Sequence, residues 1–223
     1  MEPEIIDLQE QRVPKEHPLA TEPPYMVFDD VVHPNDQQKL LDGAMDPNLM
    51  WCYNKVTAGD LKLKDKPNCV DVPQFVHPLQ DMRGGAFSSH NWMADIVIDS
   101  LKANAGMDIE MVDRVKLNYI HKQPKWQHGW YNMPHCDKHL ENRDQDNWVS
   151  AIYYLNESDG DTYFFDKWWG DDPQYMRPLL SCQPRKGRTI IFHSNRYHAS
   201  SCPVDYGARI VMNCVFKVKE QKK

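Results

Sequence analysis

The sequence predicts a mainly β domain, a sandwich or barrel buttressed by helices that precede it. Two segments of helical period lie within the first 105 residues, each ending near a glycine. From Met111 the pattern changes to short apolar runs bounded by Gly, Pro, Asn and Asp. Early helices and many later short strands suit a stacked or closed sheet with the helices packed outside it.

Residues 1–24 are polar and charged, with prolines at 3, 14, 18, 23 and 24, and read as a flexible arm. One domain is expected over 25–223, opening with a short strand at 25–28. A helix follows over about 35–44, with Pro34 near its first position and Gly43 near its end. Residues 46–87, rich in Asp, Lys, Pro and Asn, are the least readable part. They are expected to form a lid, a binding loop or a disordered insertion. Ser88 or Ser89 caps a second helix that runs to about Ala105 and stops at Gly106. Its buried face carries Trp92, Met93, Ile96, Val97 and Leu101. A strand over 112–120 leads into a loop over 121–133. Strands at 149–155 and 161–165 flank Glu157, Ser158, Asp159 and Gly160, a hairpin signal. Final strands at 188–192 and 209–218 flank a loop with His198. No internal repeat is visible.

The chain has 223 residues and a net charge of −6, so it carries no overall basic field that argues for nucleic acid. Six widely spaced cysteines without a Cys-x-x-Cys pair point to reduced thiols rather than a zinc site. There is no apolar N-terminal signal stretch and no long apolar run, so a soluble cytoplasmic protein without a membrane partner is expected. The oligomeric state is not legible.

The chemistry concentrates in Asn132-Met133-Pro134-His135-Cys136-Asp137-Lys138. On a strand, His135 and Asp137 point to one face and Cys136 to the other. One imidazole and one carboxylate are two of the three ligands a redox-active iron takes. His198, after a later apolar strand, is the candidate third. Two His and one carboxylate on one side of an iron leave the opposite positions open for a cosubstrate and oxygen. Arg209, in Gly207-Ala208-Arg209-Ile210-Val211, suits the remote carboxylate of a dicarboxylic acid, which it can hold through paired charge-assisted hydrogen bonds.

These residues, with Ile152-Tyr153-Tyr154-Leu155-Asn156, Asp159-Gly160-Asp161-Thr162-Tyr163-Phe164 and Pro184-Arg185-Lys186-Gly187-Arg188-Thr189-Ile190-Ile191-Phe192, carry a resemblance. Roughly residues 110–218 resemble the iron(II)- and 2-oxoglutarate-dependent oxygenases, in particular the prolyl 4-hydroxylase-like branch. Arg114-Val115-Lys116-Leu117-Asn118-Tyr119 and Arg196-Tyr197-His198-Ala199-Ser200-Ser201-Cys202 are also similar to small hydroxylase-like proteins of marine bacteriophages. By that likeness the cytoplasm is that of an infected host cell.

The resemblance implies a double-stranded β-helix, or jelly roll, with the metal in one mouth. His135, Asp137 and His198 would ligate iron(II), and Arg209 would pair with the distal carboxylate of 2-oxoglutarate. Tyr154 and Thr162 would line that pocket, and Asn213 would face inward by strand alternation. Either Asn118 or Tyr119 faces the cosubstrate; the register of the first strand stays open. The implied reaction consumes oxygen, releases succinate and carbon dioxide and hydroxylates an unactivated carbon, with ascorbate as a stimulant. The implied substrate is a prolyl residue of a peptide or protein, or else a small molecule such as a free amino acid or sugar. Related halogenases have a small residue where this chain has Asp137, so hydroxylation is expected. A jelly-roll binding module without turnover would be expected to lack a ligand or Arg209; all four are present. His90, His128, His139 and His193 are read as surface or hydrogen-bonding residues. Trp126, Trp130, Tyr131, Trp168 and Trp169 either pack against a substrate ring or fill loop cores.

Overall fold

Two antiparallel sheets lie on either side of a polar cavity. The structure, a computed structural model, describes residues 25–58, 63, 66–81, 88–140 and 147–219; the expected N-terminal arm lies outside them. In chain order the elements are β1 (Met26–Phe28), α1 (Pro34–Ala44), β2 (Cys52–Asn54), β3 (Gln74–Asp81), α2 (Trp92–Asn104) and β4 (Ile109–His121). Then follow β5 (Trp148–Tyr154), β6 (Thr162–Trp168), β7 (Pro178–Cys182), β8 (Thr189–His193), β9 (Arg196–Ser200) and β10 (Ala208–Val218). The larger sheet has the order β1-β8-β5-β10-β4-β3-β2, the smaller β7-β6-β9. This is the jelly-roll arrangement, mainly β with two helices outside. Among the described residues no helix is long and apolar enough to cross a membrane.

Strand β10 shows why the fold closes as it does. Ile210, Met212, Cys214 and Phe216 face the helices and pack with Leu40, Met93, Val97 and Leu101. Val211 turns to the other side, into a core shared with Tyr154, Phe164, Ile190 and Phe192 that joins the two sheets. A strand covered on both faces reads as a continuous apolar run, which is what residues 210–216 show. Arg209, just before this run, and Asn213, its one polar interruption, both turn inward and line the cavity.

Three local expectations are corrected. Strands β5 and β6 are consecutive but form no hairpin. Both edges of β5 are taken, by β10 and β8, so the chain crosses at 155–161 to the smaller sheet. The segment 46–87 is not wholly irregular, because it supplies β2 and β3, and β3 pairs with β4 from Phe75↔Tyr119 to Asp81↔Arg114. Pro78 hid this strand; the register shifts between Pro78 and Gln80, where a residue without a backbone N–H is tolerated. Neither Ser88 nor Ser89 caps α2, which begins after Asn91. The Ser88 hydroxyl instead accepts from the His90 amide and meets His77 Nε2 at 2.7 Å.

Candidate metal and cosubstrate site

The His-x-Asp stretch is a single bridge rather than a strand. His135 pairs only with His198, across from β9. One bridge is enough to set the geometry, since His135 and Asp137 still project to one side and Cys136 to the other. Cys136 packs with Tyr131, Phe165 and Tyr197, and its thiol lies 3.1 Å from the Asn195 carbonyl. One ligand atom from each of His135, Asp137 and His198 falls within 4.8 Å of the others. His198 Nε2 and Asp137 Oδ2 are 3.6 Å apart. Two ligands at right angles on one ion with bonds of roughly 2.1 Å would be about 3 Å apart, so the three fit a first-row metal with little movement.

Protonation favours the same role. His198 Nδ1 lies 3.0 Å from the Arg196 carbonyl, and His135 Nδ1 lies 3.5 Å from that of Met133. A carbonyl only accepts, so Nδ1 carries the hydrogen and Nε2 keeps its lone pair for a metal. Burial, then the neighbouring His198, pushes His135 down to about 3, and burial lowers His198 as well. Both imidazoles are therefore neutral at physiological pH. Burial alone would raise the Asp137 carboxyl, but the positive charges around it outweigh that and hold it well below the usual range. With the imidazoles neutral, the standing cations are Lys116 and, closer, Arg114, whose Nη2 donates to Asp137 Oδ1 at 2.7 Å. Ser150 Oγ donates to Asp137 Oδ2 at 2.7 Å and Asn213 Nδ2 at 3.3 Å. Since Ser150 spends its proton on Asp137, the Ser194 hydroxyl 2.9 Å away is its donor.

About 430 Å³ of unfilled space, part of it open to solvent, adjoins these ligands. Its lining includes His135, His198, Lys116, Asn118, Thr162, Arg209 and Asn213. Arg209 is 2% exposed; its Nε donates to the Gly160 carbonyl and its Nη2 to Thr162 Oγ1, both at 2.8 Å. A Cβ on Gly160 would lie 2.7 Å from the Ser201 carbonyl and 3.1 Å from Arg209 Cδ, so glycine is what allows Arg209 to lie there. Tyr154 is not a lining residue. It stands behind Thr162, its hydroxyl 2.7 Å from Thr162 Oγ1 and its ring under the guanidinium, 5.7 Å away. Asn118 faces the cavity, whereas Tyr119 lies on the opposite face of β4 against Trp51. A strand turns consecutive side chains to opposite faces, so only one of the two can face in.

Sequence reasoning missed Lys116, Thr57, Gln74, Ser150 and Arg114. Lys116 and Arg114 share the inward face of β4 with Asn118, so the register was the only missing signal. Burial, then Arg114, pushes the Lys116 ammonium down to about 8. Thr57 and Gln74 come from the unreadable segment, which thus supplies part of the cavity wall. Thr57 is fastened to Asp71 through its hydroxyl and amide. Gln74 Nε2 donates to the Thr57 carbonyl at 2.8 Å and its Oε1 accepts from Asn118 at 3.0 Å. Asn132 clips this wall to β9, accepting from the Val72 amide and donating to the Ser200 carbonyl.

The remaining histidines stay outside. His139 stacks on Trp169, with centroids 3.6 Å apart, and His90 meets Asp46 at 3.1 Å. His193 lies against the Trp168 ring. His128, Asp159 and Asp205 also cluster, but Asp159 is occupied with the Val204, Asp205 and Tyr206 amides and so latches a loop. None of the five flanking aromatic residues lines the cavity. Trp126 and Tyr131 are 7% and 2% exposed and fill loop cores.

Fold and site together set two imidazoles and one carboxylate, a group that could hold one metal ion, across a polar cavity from a buried arginine. Residues 120–217, which hold all four, match the family model described as the 2OG-Fe(II) oxygenase superfamily. The superfamily implies iron(II), 2-oxoglutarate and oxygen. Among curated proteins none matches in sequence. Among solved structures, the chain is similar to the non-heme alpha ketoglutarate dependent epimerase SnoN from nogalamycin biosynthesis, with a TM-score of 0.58, 11% identity and coverage of 87% of this chain and 78% of that one. For AviO1 from Streptomyces viridochromogenes Tue57 the values are 0.55, 11%, 90% and 92%. For HygX from Streptomyces hygroscopicus, solved with nickel and 2-oxoglutarate bound, they are 0.52, 13%, 87% and 82%. At such identities the likeness is one of fold.

Proposed function

We propose that this protein is an iron(II)- and 2-oxoglutarate-dependent dioxygenase that hydroxylates an unactivated carbon. The observation that carries the reading is the placement of His135, Asp137, His198 and Arg209 around one cavity. Iron with 2-oxoglutarate supplies the oxidising power when bound; the rest is this chain's work. His135, Asp137 and His198 offer three donors on one side and leave the cavity side free. Arg209, fixed by Gly160 and Thr162, presents its remaining N–H groups to a carboxylate. Arg114, Ser150 and Asn213 hold the Asp137 carboxylate in place.

For the substrate, the sequence likeness to prolyl 4-hydroxylases favours a prolyl side chain of a peptide. The exposed edge strand β2, which ends three residues before the cavity residue Thr57, supports this, because an extended chain can add to such an edge. A second reading, hydroxylation of a small polar molecule, is favoured by the polar lining and by the burial of Trp126 and Tyr131 in loop cores. The test is incubation with iron(II), ascorbate, 2-oxoglutarate and oxygen while succinate is measured. Proline-containing peptides, free amino acids and sugars are then added in turn. Succinate formation with a gain of one oxygen on a prolyl peptide supports the first reading. Stimulation by a free amino acid or sugar alone replaces it with the second. No succinate with any of them refutes the oxygenase.

A further inference from the structure

Among the described residues Lys116 forms no ion pair and no hydrogen bond, yet it lines the same cavity as His135 and His198. Lys116 is half-buried, and an unpaired ammonium partly withdrawn from water is costly to a fold, so such groups mark a place where an anion arrives. The nearby carboxylate, Asp137, is already engaged on both oxygens by Arg114, Ser150 and Asn213. Lys116 is therefore not needed to balance it.

Position along the strands says which anion. In the register of β4 and β10, Arg209 stands opposite Ile120 and Asn213 opposite Lys116. Asn213 touches Asp137, so Lys116 stands at the metal level and Arg209 two inward positions away, at the other end. A 2-oxo dicarboxylic acid laid between them has its distal carboxylate at Arg209 and its other carboxylate, beside the carbonyl, at the metal end. We propose that Lys116 binds the carboxylate adjacent to the keto group of the cosubstrate, making this a two-cation site that clamps both ends of the acid. The proposal rests on the oxygenase reading above.

The experiment uses the iron(II)-loaded protein without oxygen, titrated with 2-oxoglutarate and with 2-oxobutyrate, which keeps the keto-acid end and lacks the distal carboxylate. Binding is read by the charge-transfer absorbance of the chelate and by calorimetry. Lys116→Met should weaken both acids by roughly ten- to a hundredfold, the range of one charge-assisted hydrogen bond. Lys116→Arg should recover most of that. Arg209→Ala should weaken 2-oxoglutarate alone. Metal-free Lys116→Met should melt no lower than wild type, since it loses a half-buried unpaired charge. Wild-type affinity of Lys116→Met for both acids, or a loss confined to 2-oxoglutarate, overturns the proposal while leaving the oxygenase reading intact. A wild-type protein that binds neither acid overturns both.

Discussion

His135 and His198 are each other's bridge partners: the amide of each donates to the carbonyl of the other, at 2.9 and 3.0 Å. Two ligands from distant parts of the chain are thus fixed by backbone alone, with their rings 4.5 Å apart. Replacing either by Ala should keep the bridge and abolish iron binding. Metal analysis after anaerobic iron loading, with a thermal melt alongside, checks this. An active His198→Ala protein would sink the triad.

Asp137 depends on side chains in a way the histidines do not. Arg114 holds one of its oxygens and Ser150 the other. Partners behind a metal ligand typically contribute ten- to a hundredfold in affinity. Arg114→Met and Ser150→Ala should each weaken iron binding by about that much, measured by competition with a chelator. Unchanged metal affinity in Arg114→Met would make that contact a structural ion pair only.

Arg209 is tied into the wall as well as facing the cavity. Arg209→Ala should raise the 2-oxoglutarate dissociation constant roughly ten- to a hundredfold while iron still binds. It should also cost about 1–3 kcal/mol of stability by leaving the Gly160 carbonyl and Thr162 without their donor. Arg209→Lys should recover part of the affinity, because a point charge keeps the attraction and loses the fork. Equal affinity in the Ala variant would move the carboxylate partner elsewhere.

His135, Asp137, His198 and Arg209, which the structure brings to one cavity, were legible because a His-x-Asp pair, a distant His and a following Arg were read against a known chemistry. Asn118 and Tyr119 could not be told apart, because adjacent strand residues differ only in face, and face is set by which strands pair. Lys116 and Arg114 were lost with the same register. The absent hairpin between β5 and β6 has a related cause. A turn signal marks where the chain reverses, whereas β5 already has β8 and β10 on its edges. Thr57 and Gln74 lie in a segment whose outward hydrogen bonds run to Asn118 and Asn132, partners no single stretch of sequence reveals.

The buried imidazoles set an acid limit on the metal-free fold. His135 titrates near 3 in the folded protein against 6.5 when unfolded, and His198 is shifted the same way. The unfolded chain therefore binds more protons between those values, and stability falls as pH drops below about 6.5 toward 3. Each such group contributes at most about 1.4 kcal/mol per pH unit across that window. Above it neither contributes any slope. Urea unfolding at pH 7, 6, 5 and 4 should show His135→Gln losing less stability over this range than wild type. Parallel curves for the two proteins would show that His135 is protonated in the native state.

On the proposed oxygenase reading, Asp137 would also decide the fate of the substrate carbon. On that reading its carboxylate would take the third ligand position, and the three donors that hold it would leave a halide no room beside the two histidines. Turnover in high chloride should give only a hydroxylated product, a gain of one oxygen by mass spectrometry with no chlorine isotope pattern. Asp137→Ala removes that ligand and leaves Arg114 at the gap as a cation without its partner, a setting that draws an anion. That variant should bind chloride with its iron and lose hydroxylation. A chlorinated product from the wild type would mean that Asp137 leaves the metal during turnover, in spite of the three hydrogen bonds that hold it.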